Sequence, residues 1–136
     1  VASMYAVYHG PQGLKRIAQR VASYTAILAH GLRAMGFELA GDSAFDTLCV
    51  ETGIETDAIA RRARDAGANL RHLSATQLGI TLDETTTRED LTALWSWFAR
   101  SEGMVPNVDA FAHGADPLIP SELRRTSAYL THPVFN

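Results

Sequence analysis

The side chains best suited to bind a ligand lie near the end of the chain, in the run Arg124-Arg125-Thr126-Ser127. Two neighbouring guanidinium groups could hold an anion, because their forked N–H groups match carboxylate and phosphate oxygens. Composition alone favours a plainer alternative, in which both arginines form exposed salt bridges that stabilise the fold little. The apolar residues Tyr129, Leu130 and Phe135 make this sequence too hydrophobic for a free tail. We therefore expect residues 119–136 to pack against protein.

Lysine chemistry is restricted to one position, because Lys15 is the only lysine in the chain. A catalytic amine needs burial or a cationic neighbour to lower its pKa. Lys15 has the neighbour Arg16, but it falls on the polar side of the first turn of a predicted helix, where burial is not expected. We therefore predict a solvated surface residue. The sequence also lacks the P-loop motif and the dinucleotide-binding glycine motif.

Metal and thiol chemistry have little support in the sequence. None of the five histidines lies three or four residues from another, and the single cysteine is close to none of them, so no metal site is expected. Cys49 cannot form an internal disulfide, and its position in an alternating strand predicts a packed, structural thiol. Residues 113–116, from a histidine to an aspartate, could form a polar site, although a turn is the favoured interpretation.

Three other classes of protein are disfavoured. A small hydrolase could use Ser121 or Ser127 with His132, but the GxSxG nucleophile motif is absent. The net charge of -3 and the lack of a basic block give nucleic-acid binding no electrostatic support. No apolar run reaches the roughly 20 residues that span a bilayer, so no membrane partner is expected.

Length and chain ends favour one domain taken from a longer protein. The 136 residues and the hydrophobic fraction of 46% are ordinary for a globular domain. The first residues lack the basic region of a signal peptide, and the chain does not begin with Met. It also ends in the dense run 119–136. We therefore expect a segment of a larger polypeptide.

Periodicity predicts a long helix that could position these residues. Apolar residues recur at helical spacing from Leu14 to Met35, with charged and polar residues opposite them. Pro11 is suited to open this helix, and Gly36 to end it. Residues 1–9 are predicted to be the end of an earlier helix.

The remaining elements predict a small sheet with helices on one face. Strands are expected at residues 37–40, 45–51, 69–74 and 78–82, the last two as an antiparallel pair. Thr56 is predicted to cap a helix that runs to Ala66 and ends at Gly67, and Thr87 with Asp90 to form the capping box of another. That last helix carries an apolar stripe formed by Leu91, Leu94, Trp95 and Phe98. The fold class is therefore α/β of the α+β-like kind, with a short, mostly antiparallel sheet over residues 1–101.

Residues 102–136, which hold four of the five prolines, are predicted to form an extended connector outside the sheet.

Three segments together resemble one known family. They are YAVYHGPQGLKRIA at residues 5–18, DETTTREDL at residues 83–91 and LRRTSAYLTHPVFN at residues 123–136. In this order they look like the P-protein of the glycine cleavage system, the pyridoxal-phosphate-dependent decarboxylating glycine dehydrogenase. The resemblance extends over essentially the whole chain.

The resemblance implies a place within a two-part enzyme. The family has two homologous halves, each similar to a fold-type I pyridoxal-phosphate enzyme. Residues 1–101 resemble the small C-terminal subdomain of the first half, and residues 102–136 the connector to the second. The first half is generally the non-catalytic partner. The cofactor lysine is then expected downstream of Asn136, in agreement with the argument about Lys15.

The resemblance also implies a reaction and partners. The family decarboxylates glycine with pyridoxal phosphate as the electron sink and passes the aminomethyl group to the lipoyl arm of the H-protein. The expected partners are the large domain and second half of the same protein and the lipoylated H-protein. The implied location is the cytoplasm for a bacterial-type protein and the mitochondrion for a eukaryotic one. No residue is assigned a catalytic role, but Arg125, Thr131 and His132 are candidates for positions near the site or at an interface.

Three expectations follow for the 136-residue chain alone. It should bind no cofactor and release no CO2 from glycine, and its exposed apolar surface should favour self-association. The alternative is a free-standing α/β interaction or regulatory module without catalysis. Such a module would need a self-contained core and natural ends.

Overall fold

The computed structural model describes residues 1–112 and 116–136, and it begins with a long helix, α1 (Ala2–Ala34). The helix is interrupted at Gly10, whose φ of 60° and ψ of 178° are not helical. Pro11 follows and has no N–H to donate, so the predicted break is confirmed as a kink within one element. At the other end Gly36 adopts a φ of 88°, and the Phe37 N–H donates to the Leu32 carbonyl at 3.0 Å. This glycine-ended turn confirms the predicted stop.

Four short strands form one antiparallel sheet in the order β1-β2-β4-β3. The strands are β1 (Glu38–Leu39), β2 (Thr47–Glu51), β3 (Arg71–Ser74) and β4 (Gln77–Thr81). All four lie within the predicted regions or one residue outside them. In the central pair Leu48 lies opposite Ile80, and Val50 lies opposite Leu78. These four side chains are buried, and on β2 they alternate with less buried neighbours, as expected for a sheet with one face toward the core, whereas on β4 the intervening Gly79 is buried too.

Helix α2 (Thr56–Asp65) lies between β2 and β3 in the chain, and helix α3 (Arg88–Phe98) follows β4. The predicted stripe on α3 is confirmed, because Leu91, Leu94, Trp95 and Phe98 are all buried. The Trp95 indole N–H donates to the Leu28 carbonyl of α1 at 3.1 Å. This bond satisfies the polar atom of the largest core side chain, so α3 and α1 are joined by both packing and a hydrogen bond.

The start of α2 corrects one prediction and the start of α3 confirms another. Thr56 is not the N-cap of α2, because the 3-10 turn Gly53–Glu55 precedes it and Glu55 takes that position. The Thr56 hydroxyl instead donates to the Gly53 carbonyl at 2.8 Å. On α3 the capping box is present, with the Asp90 N–H donating to the Thr87 hydroxyl and the Thr87 N–H donating to the Asp90 carboxylate.

Residues beyond Ser101 contain more helix than the sequence predicted. A short helix, α4, covers Val108–Ala112, and 3-10 turns occur at Glu102–Met104, Ser121–Leu123 and Pro133–Phe135. Val108 is buried, and the Phe111 ring lies 6.1 Å from that of Trp95. The prediction of extended chain throughout 102–136 was therefore wrong at α4, which packs on the core. The described part of this region adds no strand to the sheet, as predicted.

The described residues thus form a small α+β domain, with a four-stranded antiparallel sheet and several helices. None of the described helices combines the length and the hydropathy needed to cross a membrane. The predicted polar site or turn at residues 113–116 falls on positions 113–115, which lie outside the described residues.

Candidate functional site

The closing segment, residues 119–136, folds back onto the kink of α1. The Tyr129 hydroxyl donates to the Pro11 carbonyl, across 118 positions of sequence. The Phe135 carbonyl lies so close to Gly10 that a Cβ there would sit 2.8 Å from its oxygen. Tyr129, Leu130 and Phe135 are half-buried, which confirms that this segment packs against protein.

An open groove with a volume of about 880 Å³ lies between the closing segment and α1. One wall is the stretch of α1 from Pro11 to Ala22, and the other is formed by residues of the closing segment. Leu14, Ala18 and Phe45 contribute apolar surface.

Every charged side chain among the residues that line the groove is a cation. They are Lys15, Arg124 and Arg125, and the polar remainder is hydroxyl or amide. The salt bridges among the described residues involve Arg33, Arg88 and Arg100, so the predicted salt bridges of Arg124 and Arg125 are not found in that part of the chain. The groove therefore presents uncompensated positive charge from its described side chains.

Both arginines are held in place through one edge of the guanidinium group. The Arg124 Nε donates to the Ile119 carbonyl at 3.1 Å. The Arg125 Nη1 donates to the Ser127 hydroxyl at 3.2 Å, and its guanidinium carbon lies 5.5 Å from the centre of the Tyr129 ring. A guanidinium carries five N–H donors, so most of each fork remains available to a further acceptor.

Of the three candidate residues, two line the groove and one does not. Arg125 and Thr131 line the groove. His132 does not line it, and its Nδ1 accepts the Val134 N–H at 3.2 Å, which caps the final 3-10 turn. All three side chains are exposed. A role near a catalytic site remains a prediction for each.

The other chemistry weighed from sequence has no geometric support within residues 1–112 and 116–136. The Ser121 hydroxyl donates to Glu122, the Ser127 hydroxyl accepts from Arg125, and neither bonds to His132. No group of three possible metal ligands occurs among the described residues. Cys49 is a free, half-buried thiol on β2.

The sequence did not reveal that Lys15 and Gln19 of α1 would share a groove with Arg124. Lys15 is exposed, as predicted, but its place in the groove depends on a contact between regions more than 100 positions apart. The available signal was the polar face of α1 together with a closing segment too apolar to remain free. These two features did not specify which surfaces would meet.

Comparison with known proteins identifies close relatives. A sequence model of the family described as "Glycine cleavage system P-protein" matches residues 1–98. The chain is 57% identical over 136 residues to the glycine dehydrogenase (decarboxylating) of Variovorax paradoxus (strain S110). It is 54% identical over 136 residues to that of Cupriavidus metallidurans and 50% identical over 142 residues to that of Paraburkholderia phytofirmans. Each alignment includes the whole of this chain, which spans 14% of the length of the relative.

Proposed function

The chain belongs to the glycine cleavage system P-protein family, and we propose that it is a non-catalytic segment of a decarboxylating glycine dehydrogenase. The observation that carries the proposal is identity of 57% over all 136 residues with a protein of that activity. The match continues beyond residue 98, where the family model ends, through the closing segment. The activity belongs to the full-length protein, which decarboxylates glycine and passes the aminomethyl group to the lipoylated H-protein.

We assign residues 1–101 to a small subdomain of a fold-type I pyridoxal-phosphate enzyme and residues 102–136 to the connector toward a second half. The antiparallel sheet covered by α1, α2 and α3 supports the first assignment. The closing segment supports the second, because its described residues lie outside the sheet and contact the kink of α1.

Pyridoxal phosphate, the cofactor of the family, does not fit the residues of this chain. Its attachment needs a lysine, and Lys15, the only lysine in the chain, is an exposed side chain on an open groove rather than in an enclosed pocket. We infer that the cofactor is held elsewhere in the full-length protein.

A free-standing interaction or regulatory module remains the second candidate function. It is favoured by a continuous core that extends from Ile27 of α1 to Val108 of α4. The relatives argue against it, because in each of them the matching region is 14% of a longer chain.

Mapping the cofactor attachment tests the proposal. The full-length P-protein that contains these residues is incubated with pyridoxal phosphate, reduced with borohydride and digested for mass spectrometry. We expect the pyridoxyl group on a lysine outside residues 1–136 and none on Lys15. Modification of Lys15 in a protein that decarboxylates glycine would overturn the assignment of this segment as non-catalytic.

A further inference from the structure

We propose that the groove between α1 and the closing segment is the docking site for an acidic segment of the same polypeptide, from outside residues 1–136. The proposal rests on the proposed function in one respect, which is that this chain is part of a longer P-protein. The matching region is 14% of the length of each relative, so most of such a protein would lie outside these residues.

The charge of the groove identifies the chemistry of its occupant. Lys15, Arg124 and Arg125 line it, and no carboxylate side chain does so within the described residues. The chain as a whole carries a net charge of -3, so the charge of the groove is opposite in sign to the net charge of the chain. Aspartate and glutamate side chains pair with arginine through two parallel hydrogen bonds, which gives geometric selectivity as well as attraction.

The apolar wall favours a peptide segment over a free ion. Leu14, Phe45, Ile119 and Leu123 line the same groove, and Leu123 is 72% exposed. A phosphate or carboxylate ion would use the arginines and leave this surface in water. A peptide with both acidic and apolar side chains would cover both parts.

The arginines are positioned before any partner arrives. Each is anchored by one hydrogen bond to its own segment, and Arg125 also lies over Tyr129, which is itself bonded to Pro11. Anchoring lowers the side-chain entropy lost on binding and leaves the outer N–H groups free to pair. The kink of α1, the closing segment and the cation pair therefore form one preorganised surface.

Photocrosslinking in the full-length protein tests the proposal. Leu123 is replaced by p-benzoylphenylalanine, the protein is irradiated, and the linked peptides are identified by mass spectrometry. We expect a link to a peptide of the same polypeptide, outside residues 1–136, that contains Asp or Glu. A matched control places the same probe at Ile54, which is 102% exposed and does not line the groove, and should not give that link.

Charge reversal tests the role of the arginines. Arg124→Glu with Arg125→Glu should lower the yield of the link at least about tenfold, because a charge-assisted hydrogen bond contributes about 1.5–3 kcal/mol. The control pair Arg61→Glu with Arg64→Glu, on the exposed face of α2, should leave it unchanged. Both doubly substituted full-length proteins should unfold at the temperature of the unsubstituted protein within a few degrees, which separates loss of docking from loss of folding.

The proposal is overturned if the probe at residue 123 links only to a second copy or another protein, if it links to nothing outside residues 1–136, or if charge reversal leaves the yield unchanged. Glycine decarboxylation by the unsubstituted full-length protein is measured in parallel. An active protein without the link contradicts the docking proposal alone, whereas an inactive protein with the link contradicts the proposed function alone.

Discussion

At the residue scale, Asp83 organises the turn between β4 and α3. Its carboxylate accepts the Thr85 N–H at 2.8 Å and the Thr85 hydroxyl at 2.6 Å. The neighbouring Thr86 carbonyl accepts a bond from Arg20 of α1 at 2.9 Å. The turn therefore connects the sheet, α3 and the long helix through polar contacts that the DETTTREDL sequence supplies together.

The Asp83 turn makes a prediction about pH. Hydrogen bonds from the Thr85 hydroxyl, and then from its backbone N–H, hold the pKa of Asp83 below its ordinary value. Because the folded-state pKa is lowered, the contribution to stability is present above the unfolded pKa of about 3.9 and is lost as pH falls through the folded pKa. Removing the hydroxyl with Thr85→Ala should raise the midpoint of the Asp83 carboxyl titration measured by NMR.

The control for this titration is Thr92→Ala, which removes a hydroxyl from the exposed side of α3 and should not move the Asp83 midpoint. An Asp83 midpoint that is the same with and without the Thr85 hydroxyl would contradict the assigned cause.

Gly31 shows a residue requirement that local sequence cannot reveal. In an ordinary helix, Gly→Ala stabilises by about 1 kcal/mol. Here a Cβ at position 31 would lie closer than 3.0 Å to three indole atoms of Trp95, which is 64 positions away and fully buried. Glycine is required for the close approach of α1 and α3, not for the backbone conformation.

Gly31→Ala should therefore destabilise the chain, by about 1–3 kcal/mol as expected for overpacking in a core. Urea unfolding followed by tryptophan fluorescence measures the change. Arg16→Ala, at an exposed position of the same helix, should alter the free energy of unfolding by less than about 0.5 kcal/mol. Stabilisation by the alanine at position 31 would show that the Trp95 contact is looser than described.

At the element scale, the sequence was most informative where pattern and end signals agreed. The stripe on α3 begins at the Thr87 capping box, and both were predicted correctly because their determinants lie within a dozen residues. The main part of α1 was predicted from its stripe, its initial proline and Gly36. The hydroxyl of Thr56 misled the prediction for α2, because a preceding 3-10 turn shifts the helix start and the sequence contains no strong signal for that turn.

The elements formed by residues 102–136 depend on long-range contacts. Helix α4 has only five residues, too few for a helical stripe, and it is stabilised by the burial of Val108 on the core. The groove also depends on contacts between residues that are distant in sequence. Its arginines could be identified as possible anion ligands from composition, but their proximity to Lys15 required the fold of the closing segment.

The contact between Tyr129 and Pro11 should control the mobility of the closing segment. Tyr129→Phe removes one hydrogen bond, worth about 1 kcal/mol, so amide exchange in residues 129–136 should become roughly fivefold faster. Tyr8→Phe is a matched control, because Tyr8 is 86% exposed on the same helix. Equal exchange in the two variants, measured by mass spectrometry, would show that this bond does not restrain the segment.

At the scale of the whole molecule, the described residues form one buried core and leave an apolar stripe exposed on α1. Core side chains from α1, the sheet, α2, α3 and α4 form one cluster. In contrast, Met4, Val7 and Tyr8 share one side of the first part of α1 and are 70%, 37% and 86% exposed. A stripe of this kind on a helix is typical of a surface that another part of a protein covers.

The exposed stripe and the cationic groove agree with a segment whose function depends on the rest of its polypeptide. The antiparallel sheet and the main helices followed from alternation and periodicity within residues 1–101. The groove did not, because it depends on the fold of the closing segment onto α1. The family was recognisable from three sequence segments, at residues 5–18, 83–91 and 123–136, and the family model matches residues 1–98.

Release of CO2 from carboxyl-labelled glycine tests the central claim most directly. The full-length P-protein and the 136-residue chain are each supplied with pyridoxal phosphate and lipoylated H-protein, with circular dichroism to verify that the chain is folded. We expect release by the full-length protein and none above a protein-free blank from the chain. Release by the folded chain, in proportion to its concentration, or no release by the full-length protein, would contradict it.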